Sequence, residues 1–496
     1  MIDSLTYAIA VAASAVSMFR WIRVAQREHY FPGSVLRFAV RWWRSRLANL
    51  IGFGLALVGA IMSIWIVPAG LVTAIIVAVG PLGLGVHGRT APLAWTPRLR
   101  RVAGVSVGLL VLLLVAGRAG AISVVAALAF PLLIDVALLV LWPLEAKWSA
   151  RFVREASRRL AAVAPTVVAI TGSFGKTTTK AYVGRLLRNQ RSVVISPASF
   201  NNRMGLARSI NEQLTPGAEV FVAEMGTYGR GEIRALCEWI PPTVSVITAI
   251  GPVHLERFGS LEEIASAKAE IVDGCTTLVV NIDFPALAEL AGIEEGRREV
   301  IRCSSSSSDA DVYVGPDSTV YLRGQSVGTI GEGEEFPGNV ACAVGVLAAL
   351  GLSPDPADLI SLERPMHRRQ VATAPSGAVV IDDTYNANPA GARAVVEMLG
   401  RHGSSGARRV LVTPGLVELG VRQYAENVML AEQASKQAAD IVIVGRTNRR
   451  ALLEGSRGAA SVRVVSSREE AVAWVRRTLG PGDVVVYEND LPDHYP

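Results

Sequence analysis

The sequence predicts an α-helical transmembrane N-terminal part followed by α/β structure, with a P-loop doubly wound central domain and then a Rossmann-like C-terminal domain. Three observations carry this. Apolar residues crowd the chain before residue 145. Short apolar runs alternate with helical patterns after residue 160, as parallel sheets with crossover helices require. Early in the second of these regions, Val167-Val-Ala-Ile-Thr-Gly-Ser-Phe-Gly-Lys-Thr-Thr-Thr-Lys180 passes from an apolar run through glycines, a lysine and hydroxyls into a helix-like stretch. The expected boundaries are 1–145 for a transmembrane domain of about five helices, 160–362 for an ATP-binding domain and 363–496 for the C-terminal domain.

At 496 residues the chain has room for about three domains. Hydrophobic residues make up 50% and the mean hydropathy is +0.36, more apolar than an ordinary soluble enzyme. The net charge of +6 comes from basic residues beside the apolar stretches, which reads as membrane orientation; no nucleic-acid partner is expected, because no basic-aromatic recognition module is present. Cys237, Cys275, Cys303 and Cys342 lie far apart without metal-ligand spacing, as buried reduced thiols do.

Five apolar stretches can be cut from the N-terminal part, at about Leu5–Phe19, Leu47–Val67, Ala69–Val86, Val102–Gly117 and Ala121–Trp142. Pro68-Ala-Gly70 turns the chain between the second and third. Arg20, Arg23, Arg27, Arg37, Arg41, Arg44 and Arg46 fall between the first two stretches, and Arg89, Arg98, Arg100 and Arg101 between the third and fourth. Cationic loops stay inside, so the expectation is a multi-pass protein of the cell (inner) membrane with cytoplasmic catalytic domains. The first stretch lacks a small-residue cleavage site and reads as retained. Trp21, Trp42, Trp43 and Trp148 are expected at interfaces, and Asp135 is an acid within a span that either serves function or faces other helices. The basic amphipathic run Arg151–Leu160 is expected on the membrane or docked on the next domain.

The stretch after Val167 reads as a phosphate-binding loop on mechanical grounds. Gly172 and Gly175 let backbone N–H groups turn inward around an anion, with Ser173 between them, while the following helix points its positive end at the same place. Lys176 neutralises β/γ-phosphate oxygens, and the hydroxyls of Thr177 and Thr178 follow, with Thr177 placed to ligate Mg²⁺. The spacing G-x-x-G-K-T is two residues shorter than the commoner loop, so the strand-loop-helix setting carries much of the weight. Glu224 and His254 each follow an apolar run and could supply further metal ligands.

Thr171-Gly-Ser-Phe-Gly-Lys-Thr-Thr178, Ser199-Phe-Asn-Asn-Arg-Met-Gly205, Glu224-Met-Gly226, His254-Leu-Glu-Arg-Phe-Gly-Ser260 and Ala267-Lys-Ala-Glu-Ile271 resemble the central domain of the Mur ligases. The similarity is closest to the branch that adds D-alanyl-D-alanine to a UDP-N-acetylmuramoyl peptide, and runs over about residues 160 to 450. The resemblance implies ATP and Mg²⁺ as cofactors, with Lys176 and Thr177 on phosphate and metal, Glu224 and His254 on metal, and Asn201 and Asn202 near the acceptor. It further implies that Lys268 is carbamylated and helps organise metal and phosphate; a surface helix lysine is the plain alternative. Asn339 matches the adenine-side asparagine, although the histidine that usually precedes it is absent. In the C-terminal domain, Asp382-Asp-Thr-Tyr-Asn-Ala-Asn-Pro389 implies that Asp383 contacts ribose, with Tyr385, Asn386 and Asn388 shaping the cleft and Arg368 contacting phosphate. The run Ser304–Ser308 reads as a flexible surface loop.

The chain departs from the family in three further respects, one of them the absence of a histidine expected soon after Gly420. There is no soluble N-terminal UDP-sugar domain, and Tyr487-Glu-Asn-Asp-Leu-Pro-Asp493 replaces a Lys-Gly-Ser-Arg ending. The sequence therefore reads as a membrane-anchored, ADP-forming carboxylate-amine ligase that works through an acyl phosphate in cell-wall or cell-surface polymer synthesis. Its expected partners are a small amine or amino-acid donor and an acceptor that is either lipid-linked or a nascent wall polymer. A poly-γ-glutamate-type ligase and a nucleotide-driven membrane transport or switch component are the competing readings.

Overall fold

The computed structural model describes residues 2–86, 93–116, 119–331, 336–362, 370–384, 388–404, 406–437, 439–491 and 495. The chain forms two compact units, Met1–Trp148 with Leu491–Pro496, and Ser149–Asp490.

The first unit is helical, and its helices do not match the five expected spans. They are Ile2–Arg27, Ser34–Trp43, Leu47–Met62, Gly70–Val79, Pro97–Ala116, Ala119–Leu128 and the first part of Phe130–Val163. Leu47–Met62 and Gly70–Val79 have 16 and 10 residues, about 24 and 15 Å of helix against a hydrocarbon thickness of about 30 Å. Among the described residues one helix, Ala8–Arg27, is long and apolar enough to cross a bilayer, or two if Ser34–Trp43 and Leu47–Met62, bent by 112°, count as one. A buried core helix passes the same test, so the expected multi-pass placement in the inner membrane is corrected.

The physical reason lies in residues that the charge pattern assigned to loops. Arg20 and Arg23 belong to the first helix and are buried. Arg20 donates to the carbonyls of Leu84, Val77 and Ala78 at 3.0, 3.0 and 2.9 Å and also to that of Gly80, while Arg23 reaches that of Gly85 at 2.8 Å. Val77 and Ala78 lie in the last turn of Gly70–Val79 and the other carbonyls just beyond it, where a helix leaves acceptors unmatched and a guanidinium is well placed to satisfy them. Trp21, Trp42 and Trp43 are likewise buried, in one cluster with Phe38 and Phe130, whereas Trp148 is exposed under the Arg101 guanidinium. Asp135 accepts from the backbone N–H groups of Val35 and Leu36 at 3.3 and 2.8 Å, capping a helix whose own N-cap, Gly33, has no side chain to offer. Of its two readings, the structure gives the one that faces other helices.

In the second unit, a nine-stranded sheet contains β1 (Thr166–Thr171), β2 (Val193–Ile195), β3 (Val220–Glu224), β4 (Val244–Ile247), β5 (Thr277–Asn281), β6 (Glu299–Ser304), β7 (Val312–Val314), β8 (Thr319–Leu322) and β9 (Gln325–Thr329). Their order is β2-β3-β1-β4-β5-β6-β7-β8-β9, parallel from β2 to β7 and antiparallel at the last two pairings. Alternation explains why both faces are covered. Val167 and Ala169 point into one core with Phe221, Ala223, Leu278 and Val280, while Val168 and Ile170 point into another with Val220, Val222 and Val279. Val153, Ala156 and Leu160 of the long helix Phe130–Val163 enter the first of these cores, so the basic run docks on the central sheet.

The sheet order reverses at β1, which lies between β3 and β4, and such a switch point opens a crevice beyond the strands' carboxyl ends. A six-stranded sheet follows, with β10 (Gln370–Thr373), β11 (Val379–Asp383), β12 (Arg409–Thr413), β13 (Ala439–Val444), β14 (Val462–Val465) and β15 (Val484–Glu488) in the order β10-β11-β15-β12-β13-β14. Only the pairing of β10 with β11 is antiparallel. The serine run is ordered where it leaves β6: Ser304 and Ser305 hydroxyls bond the Asp283 carboxylate, and Ser304 Oγ accepts from the N–H groups of Ser306 and Ser307. The four cysteines are free and buried, as their spacing suggested.

Adjacent strands bring Asp383 and Glu488 to the same register, both fully buried. Thr413 donates to one Glu488 oxygen, and the other finds no hydrogen-bond partner among the described residues. Burial, joined by the Asp383 charge, pushes the Glu488 carboxyl from 4.5 up to about 8. The folded state then holds a proton that the unfolded chain releases, so this contribution to stability is fully present below about pH 4.5 and is lost as pH rises through about 8. Glu488→Gln keeps the shape without the titration. Thermal melts of the variant should show a smaller fall in Tm between pH 5 and 9 than the wild type, and parallel curves would refute the buried proton.

Candidate phosphate and metal site

The site is built where β1 ends. Residues 172–175 turn the chain from β1 into the helix Lys176–Leu187. Gly172 has a φ of +150° and a Cβ there would lie 2.1 Å from Thr248 Oγ1; Gly175 has a φ of +83° and its Cβ would lie 2.4 Å from Asn339 Oδ1. Both positions therefore require glycine. Ser173 N–H donates to Ala249 O at 2.8 Å, and its hydroxyl exchanges hydrogen bonds with Gly251 O and N at 3.1 and 3.0 Å. The hydroxyl of Thr248 donates to the Phe174 carbonyl and contacts that of Thr171. Sequence reasoning passed over Thr248; its signal was a hydroxyl just after β4, beside the switch point.

Lys176 is half-buried and folds back on its own loop, 2.7 Å from Gly172 O and 3.3 Å from Ser173 O. Thr178 is buried in the helix. One residue on from Lys176, Thr177 Oγ1 donates to Glu224 Oε2 at 3.0 Å. Glu224 ends β3 and is 2% exposed. Its Oε2 also receives Lys180 Nζ at 3.0 Å and its Oε1 receives Asn201 Nδ2 at 3.1 Å. Burial alone would raise this carboxyl, but the Lys180 and Lys176 charges and the hydrogen bonds from Lys180 and Asn201 hold it below the usual carboxylate range.

The structure thus joins Thr177, Glu224 and Asn201 in one constellation. Asn202 does something else: its side chain accepts from Gly205 N–H at 2.9 Å and caps the helix Arg203–Gln213. Lys268 lies buried in the helix Leu261–Ala269. Burial and the Lys176 ammonium push its amine well below the ordinary lysine range, so it is not the solvated surface lysine of the plain alternative. His254, in the left-handed region with φ +53°, bonds the Glu418 carboxylate through Nδ1 and stacks edge-on with Tyr228. Among the described residues no contact joins His254 to Glu224. Asp383 closes β11; Arg368, Tyr385 and Asn386 lie outside the described residues.

Among the described residues no three His, Cys, Asp or Glu side chains cluster for a metal. A hydroxyl and one ionised carboxylate, both hard oxygen donors beside a phosphate loop, fit Mg²⁺, which usually takes one or two carboxylates plus substrate phosphates. The close-packed glycines and the loop lysine fit the nucleotide.

Two families match: the Mur ligase middle domain over residues 170–343 and the Mur ligase glutamate ligase domain over residues 367–487. The UDP-N-acetylmuramoyl-tripeptide–D-alanyl-D-alanine ligase of Mycobacterium tuberculosis is 32% identical over 374 residues, covering 68% of this chain and 72% of that protein. The MurF ligase of Thermotoga maritima, solved in complex with ADP, aligns with a TM-score of 0.59 at 27% identity over 69% of this chain and 80% of its own. MurF of Acinetobacter baumannii shares the fold, with a TM-score of 0.60 at 24% identity over 69% of this chain and 77% of that one. The acceptor in the mycobacterial ligase's name is UDP-linked, which together with the helix lengths removes the ground for a lipid-linked acceptor and a membrane location. The chain belongs to the Mur ligase family of ATP-dependent, Mg²⁺-using, ADP-forming amide ligases.

Proposed function

We propose that this ligase joins an amino-acid or dipeptide amine, with D-alanyl-D-alanine the first candidate, to the terminal carboxylate of a UDP-linked muramoyl peptide in peptidoglycan synthesis. The observation that carries the reading is Glu224, hydrogen-bonded by Thr177 and held ionised by Lys180, Lys176 and Asn201 beside the phosphate loop. The 32% identity to a ligase named for that reaction supports the substrates. The domain division at 160–362 and 363–496 belongs to the same proposal. The poly-γ-glutamate and transport or switch readings are not favoured, because the matches run through both ligase domains.

In the first step an acceptor carboxylate oxygen bonds to the γ-phosphorus of ATP and ADP leaves. In the second, the donor amine bonds to the acyl carbon, phosphate departs and the amine loses a proton. Lys176, freed from its loop carbonyls, balances charge on the transferred phosphoryl group, and Asn201 orients Glu224 from the acceptor side. Thr177 and Glu224, with His254 once released from Glu418, would hold Mg²⁺, which neutralises phosphate charge and fixes its geometry. Asn339 beside Gly175 is assigned to the adenine side and Asp383 to the ribose, with Arg368, Tyr385 and Asn386 completing the nucleotide contacts and Asn202 fixing the Asn201 segment.

Lys268 is assigned as a carbamate. A neutral buried amine adds CO₂ by forming an N–C bond and releasing one proton, and the product carries the negative charge that a metal-phosphate site can use. Lys268→Arg should be nearly inactive. Lys268→Ala should be nearly inactive too, but partly rescued by bicarbonate or a short-chain carboxylate; full activity of Lys268→Arg would remove the carbamate.

Lys176→Ala should lower turnover by about a hundredfold or more while leaving the melting temperature unchanged, since it removes a transition-state charge from a half-buried loop. Near-normal turnover would make the loop structural. The substrate assignment is checked by ADP release on mixing ATP with UDP-N-acetylmuramoyl tripeptide and D-alanyl-D-alanine. ADP formation only with another amine would move the donor.

A further inference from the structure

We propose that Lys180 is a positioning residue of the metal site, fixing the Glu224 carboxylate in place and tying the acceptor-side segment Ser196–Asn202 to the phosphate-loop helix. The inference rests on the reading of Thr177 and Glu224 as the metal side of the site.

Lys180 lies four residues beyond Lys176 on the same helix, so both project from one face a turn apart. Their surroundings differ. Lys176 is half-buried and bonds its own loop, while Lys180 is 3% exposed with its ammonium 3.0 Å from Glu224 Oε2 and 3.2 Å from the Pro197 carbonyl. Glu224 Oε2 thus receives two donors, Thr177 and Lys180, and Oε1 receives Asn201, so the plane of the carboxylate is set from three directions.

The segment that Lys180 reaches is stitched to the end of β3 on both sides of Pro197. Glu224 N–H donates to Ser196 Oγ at 3.1 Å, and Gly226 N–H donates to Asn201 O at 2.8 Å. Lys180 adds a further stitch, at Pro197, and connects this segment to the helix that carries Lys176 and Thr177. A lysine that merely stood in for a bound cation would need no second, main-chain partner. The fixed carbonyl argues that Lys180 stays where it is when the metal arrives.

Removing such an outer-shell partner typically costs 10- to 100-fold in metal affinity. The test is calorimetric titration of Mg²⁺ into the full-length protein with ADP bound, alongside ADP titration in EDTA. Lys180→Met should raise the Mg²⁺ dissociation constant about tenfold or more, leave Mg²⁺-free ADP affinity within about threefold, and speed amide exchange at residues 198–202. Lys180→Gln, which keeps a donor for Pro197 without the charge, serves should the methionine variant fail to fold, and should weaken Mg²⁺ by the same order. A Mg²⁺ titration within twofold of wild type, even with a lowered melting temperature, would overturn the proposal, as would tighter Mg²⁺ binding, the mark of a displaced placeholder. Absence of Mg²⁺-dependent ADP binding in the wild type would instead refute the site reading beneath it.

Discussion

A carboxylate removed from water either takes up a proton or is held by donors, and Glu224 is held. Its three side-chain donors come from different parts of the chain: Thr177 and Lys180 from the phosphate-loop helix, and Asn201 from the segment after β2. That convergence is possible because β1 sits between β3 and β4 in the sheet, so the loop after β1 and the acid ending β3 emerge side by side. The glycines at 172 and 175, packed against Thr248 and Asn339, keep the loop close enough for the contact. Loss of that geometry would leave a buried carboxylate without its partners, which explains why so many hydrogen bonds in this region serve position rather than bulk stability.

The central strands were legible in the sequence because their demands are local. Val167–Ile170 and Val220–Ala223 are apolar throughout, as strands covered on both faces must be, and the glycines and lysine that follow have few other physical uses. The strands β6 to β10 and β14 are harder to read from the sequence. Gln370–Thr373 is exposed throughout and Gln325–Thr329 largely so, and mixed sequences of that kind carry a weak signal. Within the site, residue types were legible and partnerships were not. Nothing in Asn201-Asn202 reveals that one amide turns to Glu224 while its neighbour caps a helix, since the choice depends on β3 arriving from elsewhere. Lys180 closes the stretch Val167–Lys180, yet it gains meaning only with Pro197 and Glu224 beside it.

The N-terminal helices show where composition misleads. Hydropathy counts apolar residues without knowing how the helices are cut, and arginine counts assume that cations between apolar stretches lie in loops. Here Arg20 and Arg23 are core residues whose guanidinium groups collect backbone carbonyls in the last turn of a neighbouring short helix and just beyond it, and Trp42 packs against Phe38 rather than standing at an interface. The same residue types that orient a membrane protein can therefore hold a helical unit together, and only the tertiary contacts separate the two cases.

Acyl-phosphate chemistry at the Thr177–Glu224 site makes a claim about one atom: the oxygen that leaves with phosphate originates in the acceptor carboxylate. Turnover with ATP, donor amine and an acceptor labelled with ¹⁸O in its reacting carboxylate tests this, with the released phosphate analysed by mass. The account predicts one ¹⁸O per phosphate, formed in step with ADP. Phosphate free of label in a reaction that still forms the amide would contradict it.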